Sequence, residues 1–107
     1  MALGIGAGDS VVMPAMTFAA TLNAILAAKA NPVLVDINEK GILDIKKARA
    51  IRADAVLPVH FSGDICDFES VEFPNIIEDC AHAFGSLLPR RGDIQVFSFY
   101  ANKTIGS

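Results

Sequence analysis

The sequence predicts an α/β fold: a mostly parallel sheet with helices on its faces. Short, continuous apolar runs bounded by turn residues, at 10–13, 33–35, 55–59, 76–77 and 94–99, read as strands. Segments of helical spacing, 18–29 and 44–51, alternate with the first three of them, which is the pattern of parallel strands joined by crossovers. Composition is the third observation. Of 107 residues, 52% are hydrophobic and only 20% charged, which excludes disorder. One domain at most is expected, and this balance is more apolar than a small free-standing domain needs. It fits a piece of a larger core, or a subunit that buries one face against a partner.

Gly4, Gly6, Gly8 and Asp9 lead into the first strand run. A dinucleotide-binding glycine pattern follows a strand and opens a helix, whereas this one precedes a strand, so it reads as a turn. Pro14 ends the run by removing a backbone donor. Thr17 stands where an N-cap would, ahead of a helix over 18–29 with Phe18, Leu22, Ile25 and Lys29 at helical spacing and alanine at most other positions. Residues 11–28 carry no charge and reach the lower length limit of a membrane span. Pro14, Thr17, Thr21, Asn23 and the many alanines favour a buried helix instead.

Asn31-Pro32 breaks the helix, and 33–35 reads as a strand buried on both faces. A turn over 38–41, a short basic amphipathic helix over 44–51 and a third strand over 55–59 follow. Residues 60–64 read as a loop, and 66–73 is too short and mixed for a helix. The run Ile76-Ile77 meets Glu78-Asp79, and a turn at 89–92 precedes the last strand.

Charge and cysteine usage narrow the function. A net charge of −3 without a basic patch argues against a nucleic-acid partner. The two cysteines, Cys66 and Cys80, have no CxxC spacing, which points to a reducing, cytoplasmic compartment, and no basic n-region marks a signal peptide. His60, Cys66, Cys80 and His82 match no common zinc spacing, so no metal is expected. No P-loop stands in the context that a small nucleotide-binding domain requires.

In open parallel sheets, ligands bind beyond the carboxyl ends of the strands. Phe18, His60, Asp79, His82 and the stretch from Ser98 to Lys103 all follow strand runs directly. Singly, each has a plainer reading: a turn or capping aspartate, a structural histidine, a solvated lysine.

Together they resemble a known family. Phe97-Ser98-Phe99-Tyr100-Ala101-Asn102-Lys103 is similar to the F-S-F-x-x-x-K signature of the DegT/StrS family, the pyridoxal-phosphate (PLP)-dependent sugar aminotransferases of fold type I. Gly4-Ile5-Gly6-Ala7-Gly8-Asp9, with Pro14-Ala15-Met16-Thr17-Phe18-Ala19-Ala20-Thr21, resembles its G-I-G-P-G-D and P-x-x-T-F-x-A-T runs. Pro32-Val33-Leu34-Val35-Asp36-Ile37, Pro58-Val59-His60 and Glu78-Asp79-Cys80-Ala81-His82-Ala83 resemble its P-V-F-V-D-I, P-V-H and E-D-A-A-Q/H-A runs, in the same order.

The resemblance implies roles. Lys103 would hold the cofactor covalently through its primary amine and carry the proton between substrate and cofactor. Asp79 would pair with the pyridine nitrogen. Ser98 would donate to the phosphate, His82 would lie near the phenolic oxygen, and Phe18 would stack on the ring. A lysine at 103 also favours aminotransferases over the related sugar dehydratases, which carry histidine there. Asn102-Lys103-Thr104-Ile105 most resembles the perosamine-synthase branch, implying a 4-keto-deoxysugar nucleotide as substrate, glutamate as amino donor and a homodimer.

The family's G-T-x-A phosphate-binding segment and its C-terminal domain find no match here. Residues 1–107 are therefore expected to be one partial domain, the central part of the PLP-binding large domain, with impaired activity alone. A non-catalytic structural or interaction module is the alternative.

Overall fold

The computed structural model describes residues 2–68, 72–85 and 92–103. Five strands follow one another in parallel: β1 (Ser10–Pro14), β2 (Asn31–Val35), β3 (Ala55–Val56), β4 (Ile77–Asp79) and β5 (Ile94–Val96). Helices α1 (Ala19–Ala27) and α2 (Ile45–Ala48) join the first three. The order β2-β1-β3 forms one sheet and β4-β5 a second. Isolated parallel bridges, Val56 to Ile76 and Val59 to Asp79, connect the two. The predicted α/β class and parallel pairing are both present.

Alternation along the strands sorts side chains into two apolar layers. Val12, Val35 and Val56 face one layer, with Ile42, Leu43, Ala48, Cys66 and Phe68. Val11, Met13, Ala55, Leu57 and Val59 face the other, where Ile25 of α1 and Ala30 pack. Central β1 is buried on both faces because the two apolar layers cover it from either side.

Several expectations need correcting. Strand β2 is not buried on both faces: it lies at the sheet edge and leaves Leu34 59% exposed. Pro14 ends β1 as expected, as its last residue, paired with Val35. Thr17 is not the N-cap. Phe18 holds that position with φ −68° and ψ 143°, and no side chain caps the helix.

Helix α1 also stops before Asn31-Pro32. Lys29 adopts a left-handed φ of 61°, the Lys29 N–H donates to the Leu26 carbonyl (2.8 Å), and the Ala30 N–H donates to the Ile25 carbonyl (3.2 Å). This paired closure satisfies the last carbonyls before the proline is reached. Helix α2 spans four residues rather than 44–51, with the Asp44 carboxylate accepting from the N–H groups of Lys46 and Lys47. The regular strands are shorter than the apolar runs: β3 stops at Val56 and β5 at Val96. The turn at Gly6–Asp9 forms as expected, with the Gly6 N–H donating to Asp9 Oδ2 (2.8 Å). Most of the turn expected at 89–92, with Thr104 and Ile105, lies outside the described residues. Among the described residues, no helix is long and apolar enough to cross a membrane.

Candidate functional site

A cleft of about 880 Å³ lies between α1 and the β4-β5 pair. Its floor is apolar, from Ile5, Val11, Ile77 and Ile94, and Thr17, Phe18, Thr21, Asp79, His82, Ser98 and Lys103 also line it. The parallel topology explains the gathering: every strand points the same way, so the residues that follow β1, β4 and β5 reach one edge. The cleft falls in the size range of small-molecule sites.

All five expected site residues line this cleft. Asp79 ends β4, half-buried, with Oδ1 accepting from the Ala81 N–H (3.1 Å) and Oδ2 accepting from the Thr21 hydroxyl (3.0 Å). Lys103 Nζ lies 2.7 Å from His82 Nε2 and 6.0 Å from the centre of the Phe18 ring. Phe18 is 77% exposed and presents an uncovered aromatic face. Ser98 is half-buried, and its Oγ accepts from the Tyr100 N–H at 3.4 Å.

The His82–Lys103 contact carries a constraint on protons. His82 Nδ1 accepts from the Ser62 N–H (3.4 Å), so in a neutral ring the hydrogen sits on Nε2 and the lysine amine is the acceptor. If Lys103 donates instead, the Ser62 contact must be given up.

His60 does not join this cleft. It is fully buried, with Nδ1 accepting from the Cys66 N–H (3.0 Å), which places the ring hydrogen on Nε2, donating to Glu78 Oε2 (3.0 Å). Glu78 Oε1 accepts from the Gly92 N–H (2.6 Å) and from Gln95 Nε2 (3.2 Å). A Cβ on Gly92 would stand 2.9 Å from that carboxylate and from the Ile76 carbonyl, so only glycine fits.

The ligand atoms of His60, Glu78 and Cys80 lie within 4.8 Å of one another, a set different from the four residues weighed for zinc. Both ring nitrogens of His60 are engaged, however. Burial, aided by Glu78 and Asp79, pushes the Cys80 thiol up to about 12. His60 and Glu78 form a hydrogen-bonded latch between the segment after β3 and β4, with Cys80 packed beside it.

Burial likewise pushes the Cys66 thiol up to about 12, with Asp67 adding to it. Thiolate is the reactive form. Both cysteines are therefore expected to resist alkylation in the folded protein at mildly alkaline pH and to react once denaturant unfolds it. Modification of either in the native state, read by mass, would contradict this. The sign for stability follows: the unfolded chain gives up these protons first, so stability falls as pH rises past the ordinary thiol range.

Two elements of this arrangement escaped the sequence. Thr21 is 4% exposed and bonded to Asp79; its spacing of four from Thr17 was the available signal. The pairing of His60 with Glu78 had none beyond their places after consecutive strand runs.

Comparison with known proteins identifies relatives of the whole chain. Over 120 residues the chain is 39% identical to GDP-perosamine synthase of Escherichia coli O157:H7, covering 98% of this chain and 33% of the relative. It superposes on NtdA of Bacillus subtilis, solved with bound cofactor PMP, with a TM-score of 0.87 at 35% identity, over 98% of this chain and 27% of that one. An aminotransferase from Psychrobacter cryohalolentis matches with a TM-score of 0.83 at 31% identity, over 95% of this chain and 30% of that one. The chain thus spans about a third of the length of the curated relatives it matches. The family model for DegT/DnrJ/EryC1/StrS aminotransferases matches residues 1–107. With its parallel fold and its lysine, carboxylate and aromatic gathered in one cleft, the chain belongs to the DegT/DnrJ/EryC1/StrS aminotransferase family.

Proposed function

We propose that this chain is the central part of the cofactor-binding domain of a PLP-dependent sugar aminotransferase. The observation that carries the reading is the meeting of Lys103, His82 and Phe18 beside Asp79 in one cleft. The donor set suits the cofactor: a primary amine, a carboxylate with lone pairs left over, a hydroxyl and an aromatic plane. PLP, when bound, supplies an aldehyde for the amine and a ring that withdraws electrons from the carbon losing its proton.

On this reading Lys103 holds the cofactor covalently and moves the proton at Nζ, with His82 Nε2 at 2.7 Å as the adjoining base. Asp79 keeps a proton on the ring nitrogen, Phe18 covers one ring face, and Ser98 donates to the phosphate. The 39% identity to GDP-perosamine synthase supports a nucleotide-linked sugar as acceptor; a 4-keto group on it, glutamate as donor and a cytoplasmic dimer as the setting complete the reading. A phosphate held by one hydroxyl binds loosely, so the chain alone is expected to need abundant PLP.

Borohydride reduction after PLP addition tests the reading. The reduced adduct is expected at Lys103 in preference to Lys29, Lys40, Lys46 and Lys47, as read by peptide mass. Adducts spread evenly over the five lysines would overturn it and leave a structural module of this fold.

A further inference from the structure

We infer that Thr21 is a positioning residue for Asp79, with Thr17, in the bend just before the helix, donating to it; this rests on the cofactor role proposed for Asp79. The Asp79 carboxylate is pinned at both oxygens, Oδ1 by the Ala81 N–H (3.1 Å) and Oδ2 by the Thr21 hydroxyl (3.0 Å). Two bonds on different oxygens fix the rotation of the carboxylate plane as well as its place. A carboxylate offers about four lone-pair sites, so each oxygen keeps one for a donor in the cleft.

The direction of the hydroxyl chain follows from counting hydrogens. An ionised Asp79 only accepts, so the single hydroxyl hydrogen of Thr21 is committed to it. The 2.9 Å contact between Thr17 Oγ1 and Thr21 Oγ1 must then have Thr17 as donor. The result is a one-way relay, Thr17 to Thr21 to Asp79, that ties the start of α1 to the end of β4.

Burial gives the second reason. Thr21 is 4% exposed on the apolar side of α1, one turn before buried Ile25. An aliphatic residue would pack there without a partner, whereas a buried hydroxyl costs stability unless it is bonded. The hydroxyl is thus matched to Asp79, and Phe18, between the two threonines, is held by the same turn. Helix α1 therefore sets both the plane against the ring face and the group that meets the ring edge.

The test compares Thr21→Val, Thr21→Ser, Thr17→Val and Asp79→Asn by PLP titration, the absorbance of bound PLP, and melting of the PLP-free chain. Thr21→Val is expected to weaken PLP binding about tenfold, the size of one hydrogen bond to a charged group. It should also lower the visible band of bound PLP relative to the near-ultraviolet band, a signature that a packing defect would not produce. Thr21→Ser should restore both. If Thr21→Val matches wild type while Asp79→Asn alters the spectrum, the inference falls and the cofactor reading stands. If Asp79→Asn changes nothing, that reading falls and takes this inference with it. Should Thr21→Val fail to fold, Thr17→Val decides: a smaller shift in the same direction supports the relay, and an unchanged spectrum overturns it.

Discussion

His60→Ala is expected to destabilise the fold by about 3–5 kcal/mol, the cost of stranding one partner of a buried polar pair. His60 and Glu78 are 0% and 1% exposed, so water cannot replace what is removed. The Glu78 carboxylate would lose the Nε2–H donor and the Cys66 N–H would lose its acceptor. Small domains hold only about 5–15 kcal/mol in total, so the loss should be visible as a large fall in the urea midpoint. Glu78→Ala should act similarly, releasing the Gly92 N–H and Gln95 as well. The double substitution should cost clearly less than the two single losses combined, since each removes the same contact. Additive losses would mean that the two side chains stabilise the fold independently.

Lys103→Arg is expected to abolish covalent capture of PLP while leaving the fold intact. Arginine places a cationic group near Phe18, but it has no primary amine to bond an aldehyde and cannot release its proton near neutral pH. Reduction with borohydride should then leave position 103 unlabelled, and the visible absorbance specific to that site should vanish. In an active assembly, transamination should fall by at least about 10²–10⁴-fold, the usual worth of a positioned acid–base group. Lys103 is half-buried at the cleft rather than in the core, so the melting temperature should barely move. Retained capture in the arginine variant would remove Lys103 from the mechanism.

The strands were legible because parallel strands with neighbours on both sides need unbroken apolar runs, as β1 supplies. The strand-end rule puts Phe18, His60, Asp79, His82 and the stretch from Ser98 to Lys103 along one sheet edge; Phe18, Asp79, His82, Ser98 and Lys103 line the cleft there, whereas His60 is buried away from it. What stayed hidden depended on the whole sheet. Leu34 is exposed because β2 lies at an edge, which an apolar run does not reveal. Thr21 read only as a polar residue in an alanine-rich helix, because its partner lies 58 positions along the chain. Lys29 ended the helix by taking a left-handed conformation, which lysine's side chain does not announce.

The two-part sheet has a consequence for cooperativity. Phe18 and Thr21 belong to the half built on β1, whereas Asp79 and Lys103 belong to the half built on β4 and β5. Among the described residues, the bridges at Val56 and Val59, the His60–Glu78 latch, the Thr21–Asp79 bond, and the contacts of Ser62 with His82 and of Asn75 with Asp54 span the seam between them. Local opening along that seam would take the site apart while each half kept its own strands paired. A ligand touching both halves would act as a brace, lowering the population of the opened form by mass action, so that filling the cleft and closing the sheet become one equilibrium.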